Sequence, residues 1–485
     1  MVGTDEGRPE KVPKGVEKSD GLVVAKNEGN ASGAKGPTGE EPIGGTRTMH
    51  GNRETLCPKL DRVARQAKER PRMRFTSLAH LVDEEFLKEA WQRVRKDGAV
   101  GVDRQSGQEY AANLEANLRG LYERLRSGRY KAPPVRRVWI PKDGGKQRPI
   151  GIPTIEDKVV QRGVAMILEA VHEQDFLDCS YGFRPGRGAH AALQELQDTI
   201  VMRRVGWVLD ADIEDFFGTL DHEWLRKMVR HRVNDGSIDR LIGKWLHAGV
   251  LDEGAISHPT SGTPQGGVIS PILANIYLHY AIDLWFEKRI KRSLRGEAHL
   301  FRYADDVVFC FEHEEDARAV AKLLSERLLK FGLRLNQTKT KLIRFGRGAK
   351  GPSGGKPESF NFLGFTHVCG KTRKGKFMVK RRTMKNRLQR AMRKVTEWCR
   401  TNRHRPVAEQ QRRLNQGLRG HYNYYGITGN FQRLSQFYAH VVSTWRKWLG
   451  RRGRRGSMPW YRFRELLERL PLVRPFIAHS VYALR

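Results

Sequence analysis

Residues 301–313 read FRYADDVVFCFEH, two apolar and aromatic runs that meet at Asp305 and Asp306. The runs have the composition of short strands, which places the two aspartates at or beside a tight turn between them. Adjacent carboxylates repel, and a turn flanked by strands gives them little room to separate. The ordinary reading of an Asp-Asp pair is a solvated hairpin tip. Here the flanks are RYA and VVFCF rather than polar turn residues, so a bound cation is the better explanation of the paired charge.

A second acidic cluster lies upstream in GWVLDADIEDFF, residues 206–217. If this is a strand, Asp210, Asp212 and Glu214 share one face while the apolar residues between them point into the core. Carboxylates on separate strands suit hard divalent cations. Two Mg²⁺ ions about 4 Å apart can activate an attacking hydroxyl and stabilise the leaving oxygen of a phosphoryl transfer.

Composition supports a polyanionic partner. Over 485 residues, 89 Lys and Arg face 54 Asp and Glu, a formal charge of +35, beyond what solubility needs. The length allows about three domains. Five cysteines without a CxxC pair suggest neither a zinc site nor a disulfide framework. No apolar run long enough for a membrane span and no secretion signal occurs, so a cytoplasmic protein with no membrane partner is expected.

The chain divides by composition. Residues 1–55, rich in Gly, Lys and Glu and poor in large apolar residues, are predicted to be a disordered tail. Residues 56–130 form a helical extension, in which EEFLKEAWQRV sets Phe86, Leu87, Ala90, Trp91 and Val94 on one face. PVRRVWIPK and RPIGIP, with Gly144 and Gly145 between them, predict a basic hairpin. Helices are expected around 222–248, 271–290 and 314–331, and a strand at SFNFLGF, 359–365. The mixture points to an α+β core. From Lys371 to Arg455, 25 Lys and Arg face two acids, Glu397 and Glu409. There Met384, Leu388, Ala391, Val395 and Trp398 predict a helix with a buried stripe, followed by helices at about 406–425 and 431–449. GRGAKG, residues 346–351, matches GxGxxG, but PSGGKPE follows where a helix is required, so it is read as a loop.

Five stretches together carry a resemblance: KQRPIGIP (146–153), SYGFRPGRGAH (180–190), DIEDFF (212–217), SGTPQGGVISPILANIYLH (261–279) and YADD (303–306). In this order, between residues 146 and 306, they resemble the blocks of group II intron-encoded reverse transcriptases, the maturases. The resemblance implies a right-hand polymerase, with fingers and palm at 131–370 and an antiparallel palm sheet. An α-helical thumb or maturase (X) domain would follow at 371–450, then a basic C-terminal segment, 451–485, as a candidate DNA-binding element.

By that resemblance the catalytic and metal-binding carboxylates are Asp212, Asp305 and Asp306, with two Mg²⁺ ions as cofactors. Asp212 is preferred to Asp210 because it stands five residues before Phe217, the family spacing to the aromatic that excludes a 2′-OH; a core phenylalanine is the plain alternative. Lys142 and Arg148 map to triphosphate contacts, although in isolation they read as a solvated hairpin. Gln265 maps to the nucleotide and template pocket, and Lys339 to a further dNTP contact, with Lys341 competing for that role. Arg419, Tyr422 and Tyr424 in GLRGHYNYYG are candidate RNA contacts, since rings beside cations suit unstacked bases.

The implied activity is RNA-directed DNA synthesis joined to splicing. The expected partners are a group II intron RNA in a ribonucleoprotein, an RNA template with a DNA primer, target DNA, and dNTPs; oligomeric state is not legible. Members often continue into an HNH endonuclease with paired cysteines. No cysteine follows Cys399, so no intrinsic nickase is expected, and priming would come from another source such as a nascent strand at a replication fork. Gly218 stands where the family commonly has Asp, a departure that removes no proposed ligand. A non-enzymatic splicing cofactor and a reverse transcriptase of phage defence or CRISPR adaptation are the rival readings. The intact aspartates oppose the first, and the maturase-like thumb opposes the second.

Overall fold

The structure, a computed structural model, describes residues 57–141, 147–252, 255–257, 262–263, 265–350, 355, 357–372, 374–453 and 457–480. The predicted tail, 1–55, and Lys142 lie outside them. The described residues form two compact units, one from 57–192 and 207–342, the other from 193–206 and 343–480.

The first unit opens with helices Pro58–Glu69, Glu84–Arg93, Gly107–Ala112 and Leu114–Arg126. Asp83 caps the second by accepting from Phe86 N at 2.9 Å, and Ser106 and Glu109 form a capping box at the third. The face predicted for EEFLKEAWQRV is buried, with Phe86, Leu87, Ala90, Trp91 and Val94 all in the core. The first two of these helices pack against Ile155–His172, of which nearly every residue is buried. A helix so covered shows little polar face, and in VVQRGVAMIL even the two polar residues, Gln161 and Arg162, are buried.

The predicted hairpin is present as β1 (Val135–Pro141) and β2 (Gln147–Ile152), paired antiparallel. The chain then makes β3 (Trp207–Asp212), β4 (Val250–Asp252), β5 (Ala255–Ser257), β6 (Ala298–Tyr303), β7 (Asp306–Phe311) and β8 (Lys341–Arg344). One sheet has the order β2-β1-β4-β5; the other has the order β6-β7-β3-β8, with β7 antiparallel to both neighbours. The central position of β7 explains VVFCF. Val307–Phe311 are all buried, and only Asp306 at the strand's start is exposed.

Three predicted boundaries move. The expected strand 206–217 ends at Asp212, because Ile213 pairs with Leu335, Glu214 N donates to Arg334 O, and Asp215 adopts φ +39° before a short helix, Phe216–Thr219. Glu214 therefore does not continue the face of Asp210 and Asp212. The expected helix 222–248 is two, His222–Arg230 and Gly236–Leu246. Asp235 breaks it by capping Ser237 N and Ile238 N while also accepting from Leu78 N and Ala79 N. The expected strand 359–365 folds back at Leu363 and Gly364, both at positive φ, to give β9 (Ser359–Phe362) and β10 (Phe365–Lys371).

In the second unit β10 also pairs with β11 (Phe377–Thr383), and helices Lys385–Thr401, Val407–Tyr425, Phe431–Gly450 and Trp460–Arg469 follow. Their core includes Leu388, Cys399, Leu418, Tyr422, Phe437 and Trp445. The stripe predicted on the first of these helices is shallower than expected. Leu388 is buried, whereas Ala391, Val395 and Trp398 are only partly covered. Among the described residues no helix is long and apolar enough to cross a membrane.

Candidate active site

Strand register brings the predicted carboxylates together. Tyr303 pairs with Asp306 across β6 and β7, leaving Ala304 and Asp305 as a two-residue connection, with Ala304 at φ +56°. On the other side of β7, Asp306 is the register partner of Asp212, the last residue of β3. Asp212 and Asp306 thus lie side by side on neighbouring strands, with Asp305 in the adjoining turn.

The charge of this cluster is felt by its neighbours. The Asp210 carboxyl is pushed up to about 7, by burial first and then by the carboxylates of Asp306 and Asp212, with Lys341 opposing. Lys339 Nζ donates to Asp212 Oδ2 at 2.8 Å. The loop that delivers Lys339 is shaped by Asn336. Its side chain accepts from Thr338 Oγ1 and from the backbone N of Thr338 and Lys339, and its own N–H donates to Asp212 O at 2.7 Å. So Lys339 pairs with a proposed metal ligand, while Lys341 bears on Asp210; the two lysines do not share one place.

Among the described residues no three His, Cys, Asp or Glu side chains stand close enough, as placed, to hold an ion. The donor chemistry fits a hard divalent cation nonetheless: carboxylate oxygens from adjacent strands, negative enough to draw in an ammonium and to raise a neighbouring acid.

Beneath the turn lies a residue that sequence reasoning missed. Arg302 is 0% exposed, and all five of its N–H donors are used. It grips Asp283 with Nε at 2.7 Å and Nη2 at 2.5 Å, and donates to Asn275 Oδ1 at 3.0 Å, Ser180 Oγ at 2.8 Å and Ala304 O at 3.1 Å. Burial opposes its charge, and the Asp283 carboxylate more than compensates, leaving the guanidinium above its ordinary value. Asp283 closes a π-helical turn, His279–Asp283, within an otherwise apolar helical run. The available signal was three polar residues in apolar surroundings: Arg302 in LFRYA, Asn275 in PILANIYL and Asp283 in YAIDLWF.

The predicted nucleotide contacts fall on segments stitched to one another. Phe217 is half-buried, its ring edge-on to Phe216 at 5.1 Å, and its carbonyl accepts from Thr263 N at 2.8 Å. Gln265, also half-buried, accepts at its carbonyl from Gly151 N of β2 at 2.8 Å. Gly266 is at φ +118°, where a Cβ would stand 2.7 Å from Gly151 O, so this close approach requires glycine. Arg148, exposed on the same strand, is the partner of Ile140. At the departure Gly218, an added Cβ would meet Asp215 Oδ2 at 2.2 Å; the Asp215 carboxylate occupies that space.

The RNA candidates separate. Tyr422 is wholly buried, packed against Phe476 and in the helical core, so the expectation that its ring faces RNA is corrected. Tyr424 is half-buried and donates its hydroxyl to Leu363 O at 2.9 Å. Arg419 is exposed.

Two family models match the chain: the reverse transcriptase (RNA-dependent DNA polymerase) model at residues 140–367, and the group II intron maturase-specific domain model at 388–466. Protein YkfC of Escherichia coli is 35% identical over 345 residues, 64% of this chain and 87% of YkfC. This chain belongs to the group II intron reverse transcriptase/maturase family. The group II intron-encoded protein LtrA of Lactococcus lactis is 41% identical over 166 residues, 34% of this chain and 27% of LtrA. Nuclear intron maturase 4 of Arabidopsis thaliana is 26% identical over 215 residues, 44% of this chain and 25% of its own length. The matches to these two relatives therefore span well under a third of each. The reverse transcriptase match contains both acidic segments, and the maturase match falls on the basic helices of the second unit.

Proposed function

We propose that this chain is an RNA-directed DNA polymerase encoded by a group II intron, which also binds that intron's RNA to assist splicing and supports its mobility. The observation that carries the reading is the register of Asp212 against Asp306 with Asp305 in the adjoining turn. Asp212, Asp305 and Asp306 would hold two Mg²⁺ ions, which when bound supply a more acidic primer 3′-OH and a counter-charge for the leaving pyrophosphate. The three carboxylates orient the reacting groups. Lys339 moves from Asp212 toward phosphate when nucleotide arrives, exchanging one anionic partner for another. Lys142 and Arg148 bind the triphosphate, where ammonium and guanidinium suit dispersed charge. Phe217 closes the space beneath the sugar, and Gln265 lines the nucleotide and template pocket. In the second unit Arg419 and the surrounding cations bind RNA phosphates, and the basic segment after residue 450 contacts target DNA.

The test is primer extension on an RNA template with Mg²⁺ and dNTPs, comparing wild type with Asp305→Asn/Asp306→Asn, alongside splicing of the cognate intron by both. Extension lost with splicing retained is the expected result. A wild-type protein that splices but does not extend would instead favour a purely RNA-binding cofactor.

A further inference from the structure

The block SYGFRPGRGAH includes one residue that none of these roles uses. We propose that Phe183 is a primer-binding residue, whose exposed ring packs against the terminal base pair of the primer–template hybrid beside the paired aspartates. The inference rests on the polymerase reading and deepens it.

The residues around Phe183 are fixed from inside. Ser180 bridges to Arg302, and Tyr181, almost fully buried, donates its backbone N to Arg302 O at 2.8 Å. Gly182 lies so close to the catalytic turn that a Cβ there would stand 2.5 Å from Ala304 N. Its carbonyl accepts from Asn275 Nδ2 at 2.7 Å, and the same Asn275 accepts from Arg302. On the far side, buried Arg184 donates to Glu173 and to the carbonyls of Leu177 and Ser180, the latter two at 2.7 Å. One network of buried polar groups therefore holds both this loop and the turn bearing Asp305.

Between those anchors Phe183 turns outward. It is 55% exposed and sits at φ +55°, a region that disfavours a bulky L residue. Packing does not require this ring to be there, and glycine would be the relaxed choice for the backbone. A strained, exposed aromatic beside reactive carboxylates is an observation that points to a ligand. Its ring centroid is 6.2 Å from that of Tyr303, tilted by 43°, so the two rings extend one apolar surface up to the Ala304–Asp305 connection.

Topology selects the ligand. The Phe183 loop reaches the aspartates from the β6 side, through its bridge to Arg302. Phe217 follows β3 on the opposite side of β7, and Gln265 is stitched to it through Thr263 and to β2. With the triphosphate on the β3 side, the surface on the β6 side is left for the strand that carries the 3′-OH. An RNA–DNA hybrid offers there a wide, shallow minor groove lined by sugars and base edges, against which a flat ring can lie.

The experiment uses the full chain and two kinds of substitution. Phe183→Ala removes the ring; Phe183→Gly removes the ring and also relieves the backbone. Binding is measured to an RNA template annealed to a dideoxy-terminated DNA primer, together with KM for dNTP in extension and the melting temperature. Both variants are expected to weaken hybrid binding roughly tenfold, the scale of one lost ring contact to nucleic acid. KM for dNTP should stay within about twofold and melting should not fall in either variant, and Phe183→Tyr should bind as wild type. The proposal is overturned by unchanged hybrid affinity, by a rise in dNTP KM alone, or by recovery in Phe183→Gly of what Phe183→Ala loses. Because binding to the blocked primer needs no chemistry, it reports on Phe183 separately; a wild-type chain that fails to extend would sink the polymerase reading instead.

Discussion

Arg302 and Lys339 both pair with aspartates of the same region, yet their environments give them opposite consequences. Arg302 has no solvent to fall back on. An ammonium in its place could not reproduce the two-pronged grip on Asp283 while also reaching Asn275, Ser180 and Ala304 O. Arg302→Met leaves Asp283 buried and unpaired, and should lower stability by about 3–5 kcal/mol, read by urea denaturation; Arg302→Lys should recover only part of this. Lys339 is about half exposed in its pair with Asp212. Lys339→Met should change stability by less than about 1 kcal/mol while reducing primer extension. Equal stability losses in the two variants would contradict this contrast. The paired aspartates were legible because charge in an apolar run is conspicuous. Arg302 stands in an apolar run as well, but its task was not legible, because its partners Ser180, Asn275 and Asp283 come from distant positions that only the folded chain assembles.

At the scale of elements, the helix Ile155–His172 carries a buried acid with a predictable pH signature. Asp157 accepts from the hydroxyl of Tyr130, from Trp245 Nε1 at 2.7 Å and from Gln161 Nε2 at 2.9 Å. Burial pushes its carboxyl up to about 6, and these hydrogen bonds only partly oppose the shift. The folded chain therefore binds this proton before the unfolded chain does. Its stabilising contribution is complete below the unfolded value near 4 and is lost as pH rises through 6. Asp157→Asn cannot titrate, so the melting-temperature advantage of wild type over the variant should grow as pH falls from 8 to 5; a gap independent of pH would contradict the assignment. Among the elements themselves, the hairpin of β1 and β2 and most helices were legible from periodicity and turn residues. The end of β3 was not. Its acidic tail reads as more strand, and only the tertiary bonds of Ile213 and Glu214 to Leu335 and Arg334 take it out of the strand into a turn ahead of the short helix Phe216–Thr219. For the same reason Tyr422 and Arg419 were indistinguishable in sequence, although one lies in the helical core and the other is exposed.

For the whole molecule, a formal charge of +35 implies that affinity for RNA is largely an exchange of counterions. Raising salt from about 50 to 200 mM should weaken RNA binding by a factor of about a thousand or more, and Arg419→Gln should reduce the slope of log affinity against log salt by about one. A flat salt response would argue against phosphate contacts as the source of binding. The fastening of the Ala304–Asp305 turn through Arg302 also bears on heat. The Ala304 carbonyl is held by a guanidinium that water reaches only when the surrounding core opens, so the turn has no independent way to loosen. Polymerase activity should then persist up to the temperature at which the first unit melts and vanish together with it, rather than fading beforehand as it does where active-site loops soften separately.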